Sequence, residues 1–275
     1  VILSDQNAIS ELLTYPLGDR PAKPRTHGLS MMIDKGMGYN ELHDVLDAGS
    51  AYIDILKFGF GTASLYPGHI LKRKLALAKL YAVHTCTGGT LGEVAIMQNK
   101  FEPFVALCME AGFTSIEISD GTISLDAKRR KEAIHIARQY TSHVITEVGK
   151  KVSEWPSLAD MVQQIQADLE AGANIVIVEG RESGENVGIY GDQGRVEGDI
   201  LDRFIDALPS EYLSRLMWEA PKRAQQVEML RRFGQTVNLG NIAPNEAIAL
   251  ECLRLGLRGD TLLWAPNADI QASTD

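Results

Sequence analysis

Eight short apolar runs recur along the chain at intervals of about thirty residues, and longer amphipathic stretches separate them. The runs are 29–33, 52–56, 81–84, 115–118, 143–146, 175–178, 216–218 and 236–239. Each is too short for a helix, and most are rich in β-branched or large apolar residues. They are expected to be parallel strands buried on both faces. The intervening stretches have helical spacing. Leu71, Leu75 and Leu80 share a face opposite Lys72, Arg73 and Lys79, and Ser157 is placed to cap a helix through Met161, Ile165 and Leu169. Three connections end in Ala-Gly, at Gly49, Gly112 and Gly172. A left-handed glycine there would stop the helix and turn the chain. Pro221 and Pro244 are expected to open the helices after the seventh and eighth strands.

Eight strand–helix units of this length predict a single α/β domain, a (β/α)8 barrel. The expected layout is a leader over 1–27 with a helix near 9–13, the barrel over 28–261, and a C-terminal extension over 262–275. An open doubly wound sheet is disfavoured, because Asp34-Lys35-Gly36-Met37-Gly38 has no third glycine at the dinucleotide-binding spacing. A net charge of −9 argues against sequence-independent binding to nucleic acid or an anionic membrane. No apolar run approaches the roughly 20 residues of a membrane-spanning helix. The first residues lack the charged and apolar regions of a signal peptide. Cys86, Cys108 and Cys252 make neither a disulfide framework nor a metal spacing, which fits a reducing cytoplasm.

Barrel chemistry gathers at the carboxyl ends of the strands. Nearly every run here stops at an ionisable group: Asp34, Lys57, Glu117 with Asp120, Glu147 with Lys150 and Lys151, Glu179 with Arg181, and Glu219. Asn238 lies in the eighth run and Asn241 just beyond it, and Gly88-Gly89-Thr90 follows the third. Buried charges require partners, so acids and bases converging on one rim predict a site for small anions and a hard divalent cation. The glycines of Gly88-Gly89 and Gly180 are expected to offer backbone N–H groups to an anion. Zinc is not expected, and a nucleophile-elbow hydrolase is not supported. Of the six histidines only His84 is positioned to face such a site.

In order along the chain, Lys57-Phe58-Gly59-Phe60-Gly61-Thr62, Ile116-Glu117-Ile118-Ser119-Asp120-Gly121, Thr146-Glu147-Val148-Gly149-Lys150-Lys151, Val178-Glu179-Gly180-Arg181-Glu182-Ser183-Gly184, Glu219-Ala220-Pro221, Val237-Asn238-Leu239 and Leu257-Arg258-Gly259-Asp260-Thr261 resemble the phosphosulfolactate synthase family. The sequence departs from that family at the third strand, where His84-Thr85-Cys86 approaches Gly-Gly-Thr and Gly92 replaces an aromatic residue. The resemblance implies a Mg²⁺-dependent barrel enzyme that adds sulfite to phosphoenolpyruvate, giving (2R)-phospho-3-sulfolactate, the opening of coenzyme M biosynthesis in methanogens. It implies Lys151, with Lys150 as rival, as proton donor; Lys57, Arg181, Gly89, Asn238 and Asn241 around substrate; and Glu117, Glu147 and Glu179 around the metal, with Asp34 and Glu219 as second choices. Relatives imply association of barrels into homo-oligomers. A plant branch, associated with heat stress, leaves a non-enzymatic or altered-substrate protein as an alternative. A Schiff-base aldolase using Lys57 or Lys150 is a further one.

Overall fold

The computed structural model describes residues 8–150, 156–181, 183–186 and 188–264. Eight parallel strands form a nearly closed barrel: β1 (Ser30–Asp34), β2 (Ile55–Phe58), β3 (His84–Cys86), β4 (Ile116–Ile118), β5 (Val144–Val148), β6 (Ile175–Val178), β7 (Leu216–Glu219) and β8 (Asn238–Ile242). Pairing runs in the order β3-β2-β1-β8-β7-β6-β5-β4. The seam between β3 and β4 is bridged by Thr114 and Ser115, whose N–H groups both donate to the Thr85 carbonyl, at 3.2 and 3.0 Å. With its surrounding helices this is a (β/α)8 barrel.

The helices are α1 (Ala8–Leu12), α2 (Tyr39–Gly49), α3 (Gly68–Leu80), α4 (Gly89–Met97), α5 (Phe101–Ala111), α6 (Ala127–Tyr140), α7 (Leu158–Ala171), α8 (Gly198–Asp206), α9 (Ser210–Leu213), α10 (Arg223–Phe233) and α11 (Ala247–Arg254). Ser157 caps α7 by accepting from the Asp160 N–H at 3.1 Å. Gly112 and Gly172 end α5 and α7 in the left-handed region, at φ 108° and 113°. Gly49 does not follow them: it stays at φ −131° because the chain continues into a 3₁₀ turn over Ser50–Tyr52. That turn also displaces β2, which begins three residues later than the apolar run that announces it. Pro244 begins the turn leading into α11. Pro221 lies just outside α10, which Lys222 caps.

Inside the barrel the side chains form layers. Met31, Ile55, Cys86, Ile145, Ile177 and Met217 make a buried apolar plug. Alternate residues on a strand share a face, so the next inward positions are Ile33, Lys57, Glu147, Glu179 and Glu219. A charged layer therefore sits directly on an apolar one. Below, buried Arg254 fastens the strand beginnings, donating to the carbonyls of Gln235 and Val237 at 2.6 and 2.7 Å.

Candidate active site

At the carboxyl end of the barrel a pocket of about 370 Å³ is lined by Ile33, Lys57, Gly59, Phe60, Gly88, Gly89, Thr90, Glu117, Glu147, Glu179, Arg181, Ser183, Glu219 and Asn241. Lys57 is its electrostatic centre. Its ammonium lies 3.0 Å from Glu117, 3.4 Å from Glu147 and 3.3 Å from Glu219. Burial works against the charge, but Glu117, Glu219 and Glu147 outweigh it and raise the Lys57 pKa well above the ordinary lysine value. Lys57 is thus a fixed cation and a poor amine nucleophile, which counts against Schiff-base chemistry there. Beside it, burial and Glu117 push the Cys86 thiol up to about 12, so it stays protonated.

The carboxylates are individually oriented. Glu147 Oε1 accepts from the Ser119 hydroxyl at 2.8 Å, and Glu219 Oε2 accepts from the Gly180 N–H at 3.0 Å. Glu179 Oε1 accepts from the N–H of Arg181 at 2.6 Å, which bends that residue to φ 57°. One oxygen from each of Glu147, Glu179 and Glu219 lies within 4.8 Å of the others. Three buried carboxylates with no nitrogen or sulfur donor among them make a hard-oxygen set suited to Mg²⁺.

Glu219, a second choice on sequence, thus stands in that cluster, while Glu117 is engaged differently. Its Oε1 meets Lys57 and accepts from the Gly89 N–H at 2.7 Å. The anionic group that the Gly89 N–H meets in this structure is the Glu117 carboxylate. What Gly89 contributes is space, since a Cβ there would stand 2.4 Å from Ser119 Cβ. The Gly180 N–H is likewise taken, by Glu219.

Asp34 falls on the outward face of β1, where it pairs with buried Lys74 of α3 and accepts from Tyr66 at 3.0 Å. Asn238 is also corrected. β8 runs three residues beyond the apolar run, so Asn238 lies at its beginning rather than its end. Its side chain accepts from the Leu29 N–H at 2.9 Å and donates to the Ser214 and Leu216 carbonyls at 2.9 and 2.8 Å. Asn241 does line the pocket, with its amide 3.4 Å from the Arg181 carbonyl. His84 faces the opposite end of the barrel, its ring 4.4 Å from that of His143 and tilted by 46°. Its position at the start of β3, not the end, is the reason.

Lys150 is held outside the pocket, 2.6 Å from Asp120 Oδ2. Asp120 is itself 2.9 Å from Arg130, whose other bonds reach Asp168 at 2.7 and 2.6 Å and the Glu147 carbonyl at 2.9 Å. Lys151 lies outside the described residues. Thr90, Ser119 and Ser183 enter the sequence reading only as members of motifs, with no role for their side chains, because hydroxyls beside charged motifs carry no distinguishing spacing. So does Phe60. Flanked by Gly59 and Gly61, it adopts φ 55° and remains 55% exposed at the pocket.

Comparison with known proteins agrees along nearly the whole chain. The sequence profile of the (2R)-phospho-3-sulfolactate synthase (ComA) family matches residues 18–260. The phosphosulfolactate synthase of Methanothermobacter thermautotrophicus is 40% identical over 255 residues, 92% of this chain and 96% of that one. The Arabidopsis thaliana protein HEAT-STRESS-ASSOCIATED 32 is 25% identical over 267 residues, covering 86% of this chain and 88% of its own. Among solved structures, a 3-hexulose-6-phosphate synthase superposes with a TM-score of 0.52 at 12% identity, over 82% of this chain and 98% of that one. At that identity the likeness is one of fold.

Proposed function

We propose that this chain, which belongs to the phosphosulfolactate synthase family, joins sulfite to phosphoenolpyruvate in the pocket around Lys57. The observation that carries the reading is the charge layer itself: Lys57 and Arg181 with Glu117, Glu147, Glu179 and Glu219 in one cleft above an apolar plug. Such a layer suits a reaction that concentrates negative charge on one small molecule.

In the proposed step the sulfur lone pair of sulfite attacks C3 of the enol phosphate. The electron pair of the C2–C3 double bond moves toward the carboxylate, and C2 is then protonated. One carbon–sulfur and one carbon–hydrogen bond form, the π bond is lost, and the phosphate ester stays intact. Lys57, a permanent cation buried where water cannot screen it, stabilises the charge building on the substrate carboxylate. Arg181 and the hydroxyls of Thr90 and Ser183 line the part of the pocket suited to phosphate or sulfite oxygens. Glu147, Glu179 and Glu219 would hold Mg²⁺, which supplies Lewis-acid stabilisation of the same negative charge. The family resemblance assigns the proton to Lys151. Lys150, engaged by Asp120, is the weaker candidate. The higher identity to the archaeal synthase than to the plant protein favours an active enzyme. Two buried free thiols, Cys86 and Cys108, support a reducing compartment.

Phosphorus NMR of the protein with phosphoenolpyruvate, Mg²⁺ and sulfite tests the reading. A new phosphomonoester should replace the substrate only when sulfite is present, without inorganic phosphate. Lys151→Ala should slow its appearance by about 10²- to 10⁴-fold. Release of phosphate, or consumption of substrate without sulfite, would overturn the assignment.

A further inference from the structure

A second and larger cavity, of about 450 Å³, opens at the other end of the barrel, beneath the plug. It is unlike the upper pocket in charge. Lys23, Arg25 and Arg215 line it together with His27, His84 and His143, while the one acid among its described lining residues is Asp54, 3.2 Å from Arg25. Part of this cation excess has a structural use, since helix ends present carbonyl oxygens here. Lys23 donates to the carbonyls of Ser50 and Ile53 at 3.0 and 2.7 Å, and Arg215 to that of Asn174 at 3.0 Å.

Those bonds do not exhaust the donors. A guanidinium carries five N–H groups. Arg215 uses its Nε on Asn174 and its Nη2 on Ala173, leaving Nη1. The His84 ring sits 4.4 Å from that of His143 and engages Thr114 through Nδ1 at 3.2 Å, leaving Nε2. Two adjacent imidazoles among lysine and arginine are electrostatically favourable only as neutral rings, unless an anion joins them. The cavity floor is of another kind: Leu29, Ile55, Ile145 and Ile175 present hydrocarbon. Cationic walls over an apolar floor match a molecule with one acidic group on an apolar body.

We propose that this cavity is a second binding site, for a small organic anion whose carboxylate, phosphate or sulfonate meets Arg215 and the histidine pair while its apolar body rests on Ile55 and Ile145. The site is separated from the catalytic pocket by the plug, and it does not depend on which reaction that pocket performs.

Benzoate, phenyl phosphate and benzenesulfonate are suitable probes, with inorganic phosphate as the anion lacking a body. Titration calorimetry on the full chain should show one saturable site for at least one aromatic probe, weaker or absent for inorganic phosphate. Proton NMR should show the His84 and His143 ring resonances moving with the same isotherm. Thr26 and Ser214 are exposed residues of the cavity lining and belong to no catalytic group. Thr26→Glu and Ser214→Glu, each checked for folding by thermal melting, should weaken binding by about tenfold or more at low salt. Thr26→Gln and Ser214→Gln should leave it unchanged. The proposal is overturned if no probe saturates below about 10 mM, if both charge reversals leave binding intact, if the histidine resonances do not move, or if inorganic phosphate binds as tightly as the aromatic anions.

Discussion

At Lys57 three carboxylates converge on one ammonium inside the barrel. Among the described residues, four buried acids line the pocket together with Lys57 and Arg181. Two substitutions should therefore move stability in opposite directions. Lys57→Met leaves Glu117, Glu147 and Glu219 without their shared cation and should cost about 3–5 kcal/mol, read as a lower urea midpoint. Glu147→Gln keeps an oxygen for the Ser119 hydroxyl but removes one repelling charge. It should melt at the same temperature or about 2–4 °C higher, while turnover falls by about 10²-fold or more. A marked destabilisation by Glu147→Gln would show that the four acids are already balanced without substrate or metal.

At the level of elements, α4 begins against β4 with no room to spare. The Gly89 backbone stands where a side chain would strike Ser119 and crowd Glu117, at 2.4 and 3.1 Å. Gly89→Ala should push the start of α4 away from β4, cost about 1–3 kcal/mol and disturb the Glu117–Lys57 contact. Gly68, the first residue of α3, has no neighbour within 4 Å of such a Cβ. Gly68→Ala should be neutral or stabilise by up to about 1 kcal/mol, and paired melting curves separate the two. The same elements explain what the sequence disclosed. The succession Ile55/Lys57, Ile145/Glu147, Ile177/Glu179 and Met217/Glu219 repeats one inward step from apolar to charged, so those strand ends were legible. Asp34 looks identical in sequence but falls one residue out of that alternation, onto the helix-facing side with Lys74. Asn238 was misplaced because Asn, Gly and Asn inside β8 blur its limits. The partnership of Lys150 with Asp120 depends on Arg130 of α6, a contact between distant segments that no local pattern announces.

Over the whole molecule the barrel keeps its two ends chemically distinct, and the lower end should govern how stability responds to mild acid. Burial lowers the pKa of His84, reinforced by His143 and Lys23, and burial with Arg138 lowers that of His143. The folded state therefore resists protons that an unfolded histidine accepts near pH 6.5. Above that pH both states hold these rings neutral, and the full stability is present. As pH falls from about 6.5 through the lower folded values, the unfolded chain binds more protons and stability declines. Lys23, pushed down by burial to about 8, is already charged throughout this window, and burial raises the pKa of Asp54, so its proton uptake in the folded state opposes the decline. Urea midpoints should thus be nearly level between pH 7 and 7.5 and drop between about pH 6.5 and 5. His143→Gln, which removes one titrating ring and relieves its neighbour, should flatten that drop. A profile that falls equally in wild type and His143→Gln would move the acid sensitivity to the carboxylates of the upper pocket instead. An aromatic anion bound in the lower cavity should also flatten it, because a negative charge beside the two rings makes their protonation in the folded state less costly.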